Sequence, residues 1–413
     1  MAVITGQRLT YVYAAANAIY DAENEALDIS SALDILRPVD VPLLSLIGRS
    51  SLETPCVQVK HEWLEDEYRG MSTVSTGLNN TTDPVTVTLT TAAHTLYFRE
   101  TGGTGTPANY TAADSTKPGD IVRIWDANGE EICIVTDVTS TTIDLDRSQL
   151  GSTPVSHTTS CNITIIGTLQ PQGLTTVGQS RTTTKANAFN YTQIFEESFR
   201  ASATQQVTRK WTAQNDREVE WGKIIDLLGV QMERTLTFGK KQKPAATVGS
   251  QQGPAGAMGG IRSFITTNVY DKNGAALTQT FLEDALEDIW EAGGPGRLVA
   301  VVNSTQKRRI NTFLDAYRQA DYSDEVLGAI VTRYDTDFGS LDVLLDRHMA
   351  RDEVLILDAS RIGFGPLQGR GLSMSKRPVE SSESDLWQIV GEYTCEVRME
   401  KAHARIYDLS LTV

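Results

Sequence analysis

The chain has 413 residues, 40% of them hydrophobic and 22% charged, enough for about two or three lobes with cores of their own. Its 52 acidic residues against 37 basic ones leave a net charge of −15, which disfavours wrapping nucleic acid, because affinity for DNA rests on Lys and Arg neutralising phosphates. No run approaches the ~20 apolar residues needed to cross a bilayer, so no membrane association is expected.

Residues 1–54 read as an arm. The apolar run 11–20 has no basic flank beyond Arg8 and leads into Asp21, Glu23 and Glu25, unlike a secretory signal. Residues 17–36 have helical spacing (Ile19, Ala22, Ala26, Ile29, Leu33, Leu36), ended by Pro38 and Pro42. With no core of its own, this arm is expected to lie on the rest of the molecule or on a neighbour.

From Pro55 the period becomes two. Val57, Val59, His61 and Trp63 alternate with Gln58, Lys60, Glu62 and Leu64. A matching strand comes far downstream, where Phe189, Tyr191, Gln193 and Phe195 alternate with Asn190, Thr192, Ile194 and Glu196. The two are expected to pair as arms of a long hairpin, residues 55–79 and 174–200. Between them, residues 80–173 are rich in Thr, Gly and Asp. Short strands are expected there at 85–89, 96–98, 121–125, 132–135, 143–145 and 163–166, with Ile121, Trp125, Ile134 and Ile165 in the core. Asn128-Gly129 reads as a type I′ hairpin turn. The spacing predicts a small all-β barrel or sandwich, inserted in the hairpin and folding on its own.

The longest helical signal spans 215–239. Trp221, Ile224, Ile225, Leu228, Met232 and Leu236 form one apolar stripe, with Lys223, Asp226, Glu233 and Arg234 on the other side. Val219, Leu227 and Val230 fall outside the stripe, as ordinary exposed residues or as a second contact with a neighbouring subunit. Gly239 is the stop signal. This helix is expected to be a spine carrying two unlike lobes, with 201–254 and 376–413 gathered around it.

Residues 240–260 read as a Pro/Gly/Gln linker. The α+β lobe is expected over 255–375. It has a helix with Phe281, Leu282, Ala285, Leu286, Ile289 and Trp290, stopped by Gly293-Gly294-Pro295, and a buried strand at 298–302. A second helix, capped by Asn303 or Ser304, carries Ile310, Phe313, Leu314 and Tyr317, and strands follow at 330–334, 341–345 and 354–357. A final long strand puts Trp387, Ile389, Gly391, Tyr393, Cys395, Val397 and Met399 on one face. Beyond Lys401 the apolar parity slips by one, a bulge or a break. The strand is long enough to back the whole spine.

No catalytic set emerges. His61-Glu62 lacks the second histidine of a zinc-protease motif. Ser304-Thr-Gln-Lys307 has the spacing of a serine acyl-enzyme but opens a helix where a cap belongs. Gly102-Gly-Thr-Gly-Thr106 has no phosphate-loop lysine, and the pairs Asp144/Asp146 and Asp335/Asp337 lack a calcium-loop pattern. The five histidines (61, 94, 157, 348 and 403) are scattered, with His403 on a polar face as a solvated or interface residue. Cys56, Cys133, Cys161 and Cys395 form no CxxC pair, so neither a zinc site nor a disulfide framework is expected, and a reducing cytosol is the natural setting. No catalytic, cofactor or metal residue is assigned.

The order of parts, together with several local segments, resembles the major capsid protein of tailed double-stranded DNA phages, the Hong Kong 97-type fold. The segments are Lys60-His-Glu-Trp-Leu-Glu-Asp-Glu67, Met258-Gly-Gly-Ile261, Thr266-Thr-Asn268, Glu392-Tyr-Thr-Cys-Glu-Val397 and Lys401-Ala-His403. Pro118-Gly-Asp-Ile-Val-Arg123 through Asp146-Arg147 is similar to the β-domain that one branch of the family inserts. The resemblance implies an α+β fold with an N-terminal arm, an E-loop hairpin, a P-domain holding the spine and an A-domain. It implies self-association into hexamers and pentamers of an icosahedral shell in the virion, assembled in the host cytoplasm around double-stranded DNA that is not bound sequence-specifically. Portal, scaffolding and decoration proteins are the implied partners. In that setting Trp63, Phe189 and Phe195 are expected to be buried mainly by other chains. The surface facing DNA is expected to be acidic or neutral, and the insertion is expected to project from the shell. Two other readings have discriminators: a tail or fibre protein whose β insertion binds a receptor would form a trimer or fixed ring, and a hydrolase centred on Ser304 would lose ester turnover on replacement of that serine.

Overall fold

The computed structural model describes residues 40–47, 55–66, 72–76, 78, 81–89, 116–139, 142–158, 160–173, 185–207, 216–248, 251–294, 297–315, 333–378 and 383–412. The helix expected over 17–36, the strand at 96–98, and His94, Gly102–Thr106 and Tyr317 lie outside them. Helix α1 (Pro42–Ile47) starts at a proline, where the missing N–H is no loss, so Pro42 begins a helix instead of ending one.

On β1 (Lys60–Glu65), His61 and Trp63 turn inward while Lys60, Glu62 and Leu64 turn outward. Val57 and Val59 do not share the inner face; they are 60% and 43% exposed. The chain then enters a closed barrel made by β2 (Ser72–Thr76), β3 (Val85–Leu89), β4 (Asp120–Asp126), β5 (Gly129–Val138), β6 (Thr142–Asp146) and β7 (Ser160–Thr168), in the order β2-β3-β6-β5-β4-β7. Val87, Val122, Ile124, Cys133, Val135, Ile143, Leu145 and Ile163 fill it as a cluster separate from the rest of the core.

The barrel corrects three expectations. It begins at Ser72 and not at residue 80, because β2 closes the cylinder between β3 and β7. Ile121, Trp125 and Ile134 are half-buried on the outer face, while Val122, Ile124, Cys133, Val135 and Ile165 are buried. Both faces of these strands are apolar, so alternation cannot choose the inner one. The β4–β5 turn is not type I′: Asp126 pairs with Gly129, and neither Ala127 nor Asn128 has positive φ, while Gly129 has φ 150°.

Strand β8 (Ala186–Tyr191) pairs antiparallel with β1, Lys60 opposite Tyr191 and Glu65 opposite Ala186. The second arm then leaves the hairpin. At Thr192 the strand breaks and the buried parity slips, from Asn190 and Thr192 before the break to Phe195 after it. Strand β9 (Gln193–Ser202) and the short α2 (Ala203–Val207) follow, then the spine helix α3 (Asp216–Phe238). Strands β10 (Gln242–Val248) and β11 (Gln251–Ala257) pair antiparallel with shifts of register, where a linker was expected.

The α+β lobe contains α4 (Ile261–Phe264), β12 (Val269–Asp271), α5 (Gln279–Glu291), β13 (Arg297–Val302), α6 (Ser304–Asp315), β14 (Arg333–Thr336), β15 (Gly339–Leu345) and β16 (Val354–Leu357). Thr278 caps α5, its Oγ1 accepting the Phe281 N–H at 3.3 Å. Asn303 Oδ1 accepts the Ser304 N–H at 2.7 Å and the Ser304 hydroxyl at 3.0 Å, and the Lys307 Nζ reaches the Val343 carbonyl at 3.4 Å. Ser304 and Lys307 are thus engaged by separate partners.

Strands β17 (Ile362–Pro366) and β18 (Ser373–Pro378) pair with one side of β19 (Ser384–Val397), and β9 pairs with the other. After β19 the chain turns at Met399 (φ 53°) and through Glu400–Ala402. Strand β20 (Ala404–Tyr407) then enters the lobe's six-stranded sheet, β12-β20-β16-β13-β15-β14. The parity slip is therefore a break that hands the chain from one sheet to another. The long strand β19 stays with the spine while β20 leaves it, and the lobe drawn at 255–375 thereby takes in residues from 376–413.

The spine packs on the β9–β19 sheet through Ile224, Leu228, Met232 and Leu236, which join Phe195, Ile389, Cys395 and Val397 in one core. Buried Leu side chains such as Leu228 and Leu236 each contribute about 1.5–3 kcal/mol. Steps of four residues rotate by about 40°, so this seam runs obliquely along the helix over a twisted sheet. Ile225 lies inside the predicted stripe but off the seam at its own level, and is 42% exposed. Trp221 is half-buried at the end of the seam, edge-on to Phe199 at 5.2 Å and to Trp387 at 5.7 Å.

Candidate functional site

The hairpin, the spine, the β19 sheet and the α+β lobe meet at one joint. The segments around 60–65, 258–261, 266–268, 392–397 and 401–403 all converge there. Asn190, fully buried on β8, is its centre. Its Oδ1 accepts the Gly259 N–H at 2.8 Å and the Tyr191 N–H at 2.9 Å. Its Nδ2 donates to the carbonyls of Gly259 at 3.0 Å and Cys395 at 2.9 Å. One amide thus ties the hairpin to β19 and to the entrance of the lobe.

Neighbouring contacts repeat the pattern. The Thr192 hydroxyl donates to Glu392 Oε1 at 2.6 Å, and Arg370 pairs with the same carboxylate at 2.7 Å. Thr394 Oγ1 donates to the Tyr191 carbonyl at 3.1 Å, and the Met258 N–H donates to Gln193 Oε1 at 3.1 Å. His61 Nε2 lies 2.5 Å from Glu396 Oε1, both side chains buried. The Cys56 side chain and the Glu396 carboxylate hold the His61 imidazole up at about 9. Trp63 Nε1 and the Met399 N–H both donate to Glu65 Oε1, at 2.9 and 2.8 Å.

The turn between the two sheets is clamped in turn. Glu400 accepts the N–H groups of Thr266 and Thr267 at 2.9 and 3.1 Å, and Asn268 Nδ2 donates to the carbonyls of Lys401 and His403 at 2.9 and 3.1 Å. His403 is buried, not solvated: burial pushes its pKa down to about 4, and its Nδ1 accepts the Asp358 N–H at 3.1 Å. Burial likewise pushes the Cys395 thiol up to about 12, so it is an inert filler.

The spine ends against the same joint with no room to spare. A Cβ on Gly239 would lie 2.5 Å from the Met258 carbonyl oxygen, and one on Gly260 2.6 Å from that of Thr235. The Gly260 N–H donates to the Gly239 carbonyl at 2.9 Å. Higher up, Glu233 is fully buried where a polar outer face was expected. Its two oxygens accept the N–H groups of Leu43 and Leu44 at 2.9 and 2.6 Å, capping α1. Burial, with Asp346 nearby, raises the Glu233 pKa to about 7 against the pull of those two N–H groups.

Of the aromatic interface candidates, Trp63 and Phe195 are 7% and 3% exposed within their own chain, which corrects the expectation that other chains bury them. Trp63 packs on Phe264 at 5.9 Å, and Phe195 belongs to the spine core. Phe189 stays half-buried, under Lys60 and Lys241. The residues that make the joint (Asn190, Thr192, Glu392, Glu396 and Glu400) were not singled out beforehand. Alternation assigns such polar residues to solvent, and the one available signal was their place inside or opposite the resembling segments. The arrangement holds parts together; among the described residues no group of three or more His, Cys, Asp or Glu side chains is placed to hold a metal ion.

A family model described as SU10 major capsid protein matches residues 4–410. No curated protein matches the chain. Among solved structures, the capsid of a native GTA particle aligns with a TM-score of 0.50 at 11% identity, over 95% of this chain and 99% of that one. The empty GTA particle capsid gives 0.48 at 10% identity with the same coverage. The capsid of cyanophage A-1(L) gives 0.44 at 11%, over 59% of this chain and 85% of that one.

Proposed function

The chain belongs to the SU10 major capsid protein family, a structural and not an enzymatic family, and from that premise we propose that its copies join as hexamers and pentamers into an icosahedral shell around packaged double-stranded DNA. The observation that carries this reading is the family match over 4–410. The fold it shares with the native GTA capsid is consistent with it.

In this reading residues 1–54 are the N-terminal arm, the β1–β8 hairpin is the E-loop, the spine with β9 and β19 is the P-domain, and the six-stranded lobe is the A-domain. The joint fixes the hairpin's base, while its outer side presents Leu64, 66% exposed, and the neighbouring β9 presents Ile194, 52% exposed. On the spine, Ile225 and Leu227 are 42% and 49% exposed. Such apolar residues are covered when copies pack side by side, in interfaces of the large kind that permanent assemblies use. The barrel projects from the shell, where it clamps neighbouring capsomers or receives a decoration protein. The acidic balance suits a lining along which DNA slides, and a portal and a scaffolding protein complete the assembly.

The test is electron microscopy of the purified chain, alone and with its scaffolding partner. Closed shells with pentameric vertices are expected. A trimer or ring of fixed size under all conditions would reject the shell and favour a tail component.

A further inference from the structure

We propose that the loop after β17 and one face of β18 form an oxyanion site for a phosphate group, inorganic or carried in a phosphodiester; this goes beyond the capsid reading and does not depend on it. Between the two strands the chain passes through Gly369, Arg370 and Gly371. With Ser373, Ser375 and Arg377 they line a cavity of about 200 Å³. One water needs only ~10–15 Å³, so the space admits a larger guest.

The sheet sets which side chains reach it. Ser373, Ser375 and Arg377 stand opposite Val390, Gln388 and Leu386 of β19. This is the face turned away from the spine, because Trp387 and Ile389 take the spine side. Lys376, between Ser375 and Arg377, belongs to the spine side as well. Its Nζ is 2.7 Å from Asp385 Oδ2 and 5.5 Å from the Trp387 ring. Two adjacent cations therefore serve opposite faces: Lys376 is neutralised, while among the described residues no ion pair joins Arg377 to a carboxylate.

Arg370 brings the second guanidinium. Its Nε lies 2.7 Å from Glu392 Oε2, and the other oxygen of that carboxylate accepts the Thr192 hydroxyl at 2.6 Å. A guanidinium has five N–H donors, so this pair leaves some of them over. The cavity thus gathers two guanidinium charges against one carboxylate, in a chain of net charge −15. Gly369 has φ 79°, and a Cβ on Gly369 or Gly371 would meet nothing within 4 Å, so the loop backbone lies open to a ligand. Among the described residues the N–H groups of Gly369 and Gly371 meet no acceptor. The Ser373 hydroxyl donates to the Val390 carbonyl at 3.3 Å, which leaves the Ser375 hydroxyl as the side-chain donor between the two arginines.

Donors arriving from the loop backbone, a hydroxyl and two guanidinium forks suit a phosphate, with three or more acceptor oxygens, better than a carboxylate with two. The same face extends across the sheet. Arg377 is opposite Leu386, and Leu386 is opposite the exposed Arg200 on β9, roughly 9–10 Å from β18 at two strand spacings. A phosphodiester chain spans both arginines, whereas inorganic phosphate engages the cavity alone.

The test is calorimetric titration of inorganic phosphate into the full-length parent, Arg377→Gln, Arg377→Lys and Lys376→Gln, with sodium chloride of equal ionic strength as the blank and the melting of each variant checked first. The parent is expected to bind phosphate above the chloride blank. Arg377→Gln is expected to bind it at least tenfold more weakly, Arg377→Lys to recover part of the loss, and Lys376→Gln to match the parent. Equal weakening in Lys376→Gln and Arg377→Gln would reduce the effect to net charge and overturn the proposal. So would a parent that shows no phosphate binding beyond chloride. A short DNA duplex added to the phosphate-loaded parent identifies the source. Displacement that Arg200→Gln weakens assigns the site to a phosphodiester, and no displacement assigns it to the small anion. Whether the chain forms shells is read separately, so failure of this site leaves the capsid reading standing, and the reverse.

Discussion

At the scale of single residues, this molecule is held by polar side chains that sit where apolar ones were expected. Asn190 alone satisfies two N–H groups and two carbonyls from three parts of the chain. Asn190→Ala should lower the unfolding free energy by roughly 3–5 kcal/mol, since each orphaned buried group costs about 1–3 kcal/mol. Urea unfolding of the purified subunit measures it, and a loss below about 1 kcal/mol would demote Asn190 to a bystander. Two groups should also set the pH dependence. His61, raised from 6.5 to about 9, keeps a proton in the folded chain that the unfolded chain releases. Its stabilisation is complete below pH 6.5 and is lost as pH rises to about 9. Glu233, raised from 4.5 to about 7, also holds an extra proton when folded, so its contribution is lost between those values in the same direction. Stability should fall with rising pH across both windows. His61→Gln should flatten the upper one and Glu233→Gln the lower; an unchanged upper limb in His61→Gln would dissociate the histidine from the joint's stability.

At the scale of elements, the spine shows which parts of a helix can change. At Gly260 an added Cβ would meet backbone at 2.6, 2.7 and 2.8 Å, with no flexible side chain to yield. Gly260→Ala should therefore cost about 1–3 kcal/mol or more, by overpacking. Gly229, in the middle of α3, has one neighbour at 3.8 Å, the Val41 side chain, so a methyl group fits. Gly229→Ala should stabilise the subunit by about 0.5–1 kcal/mol, because glycine in a helix interior costs backbone entropy. Denaturation midpoints of the two variants should move in opposite directions; a destabilised Gly229→Ala would mean that the helix needs to bend there. The break at Thr192 is a second lesson at this scale. A strand that looks continuous by alternation serves two sheets, and its buried parity changes where it passes from one to the other.

At the scale of the whole molecule, the barrel has its own core and enters from the hairpin through β2 and β7. Its boundary decides whether it can stand alone. A fragment starting before Ser72 and ending after Thr168 retains the strand that closes the cylinder, while one cut at residues 80–173 lacks it. The longer fragment should melt cooperatively by circular dichroism. The shorter one should expose the edges of β3 and β7 and aggregate or stay unfolded. Equal melting of both would show that β2 is dispensable and that the barrel proper is smaller than the closed sheet.

The sequence by itself determined what depends on neighbours along the chain. It gave the spine to within one residue at each end, five of the barrel's strands, the strand–helix succession of the lobe, and the break after β19. Local spacing, caps and turn residues are sufficient for these, because helix and strand periods repeat within a few residues. The tertiary structure decided what depends on neighbours across space. It turned Val122 and Ile124 inward instead of Ile121 and Trp125, buried Glu233 under α1, left Ile225 exposed, sent β20 into the other sheet, and buried Trp63 and Phe195 in their own chain. In each case the local pattern allows two faces or two destinations with similar apolar content. The choice is made by which surface a distant segment covers, information that no window of sequence contains.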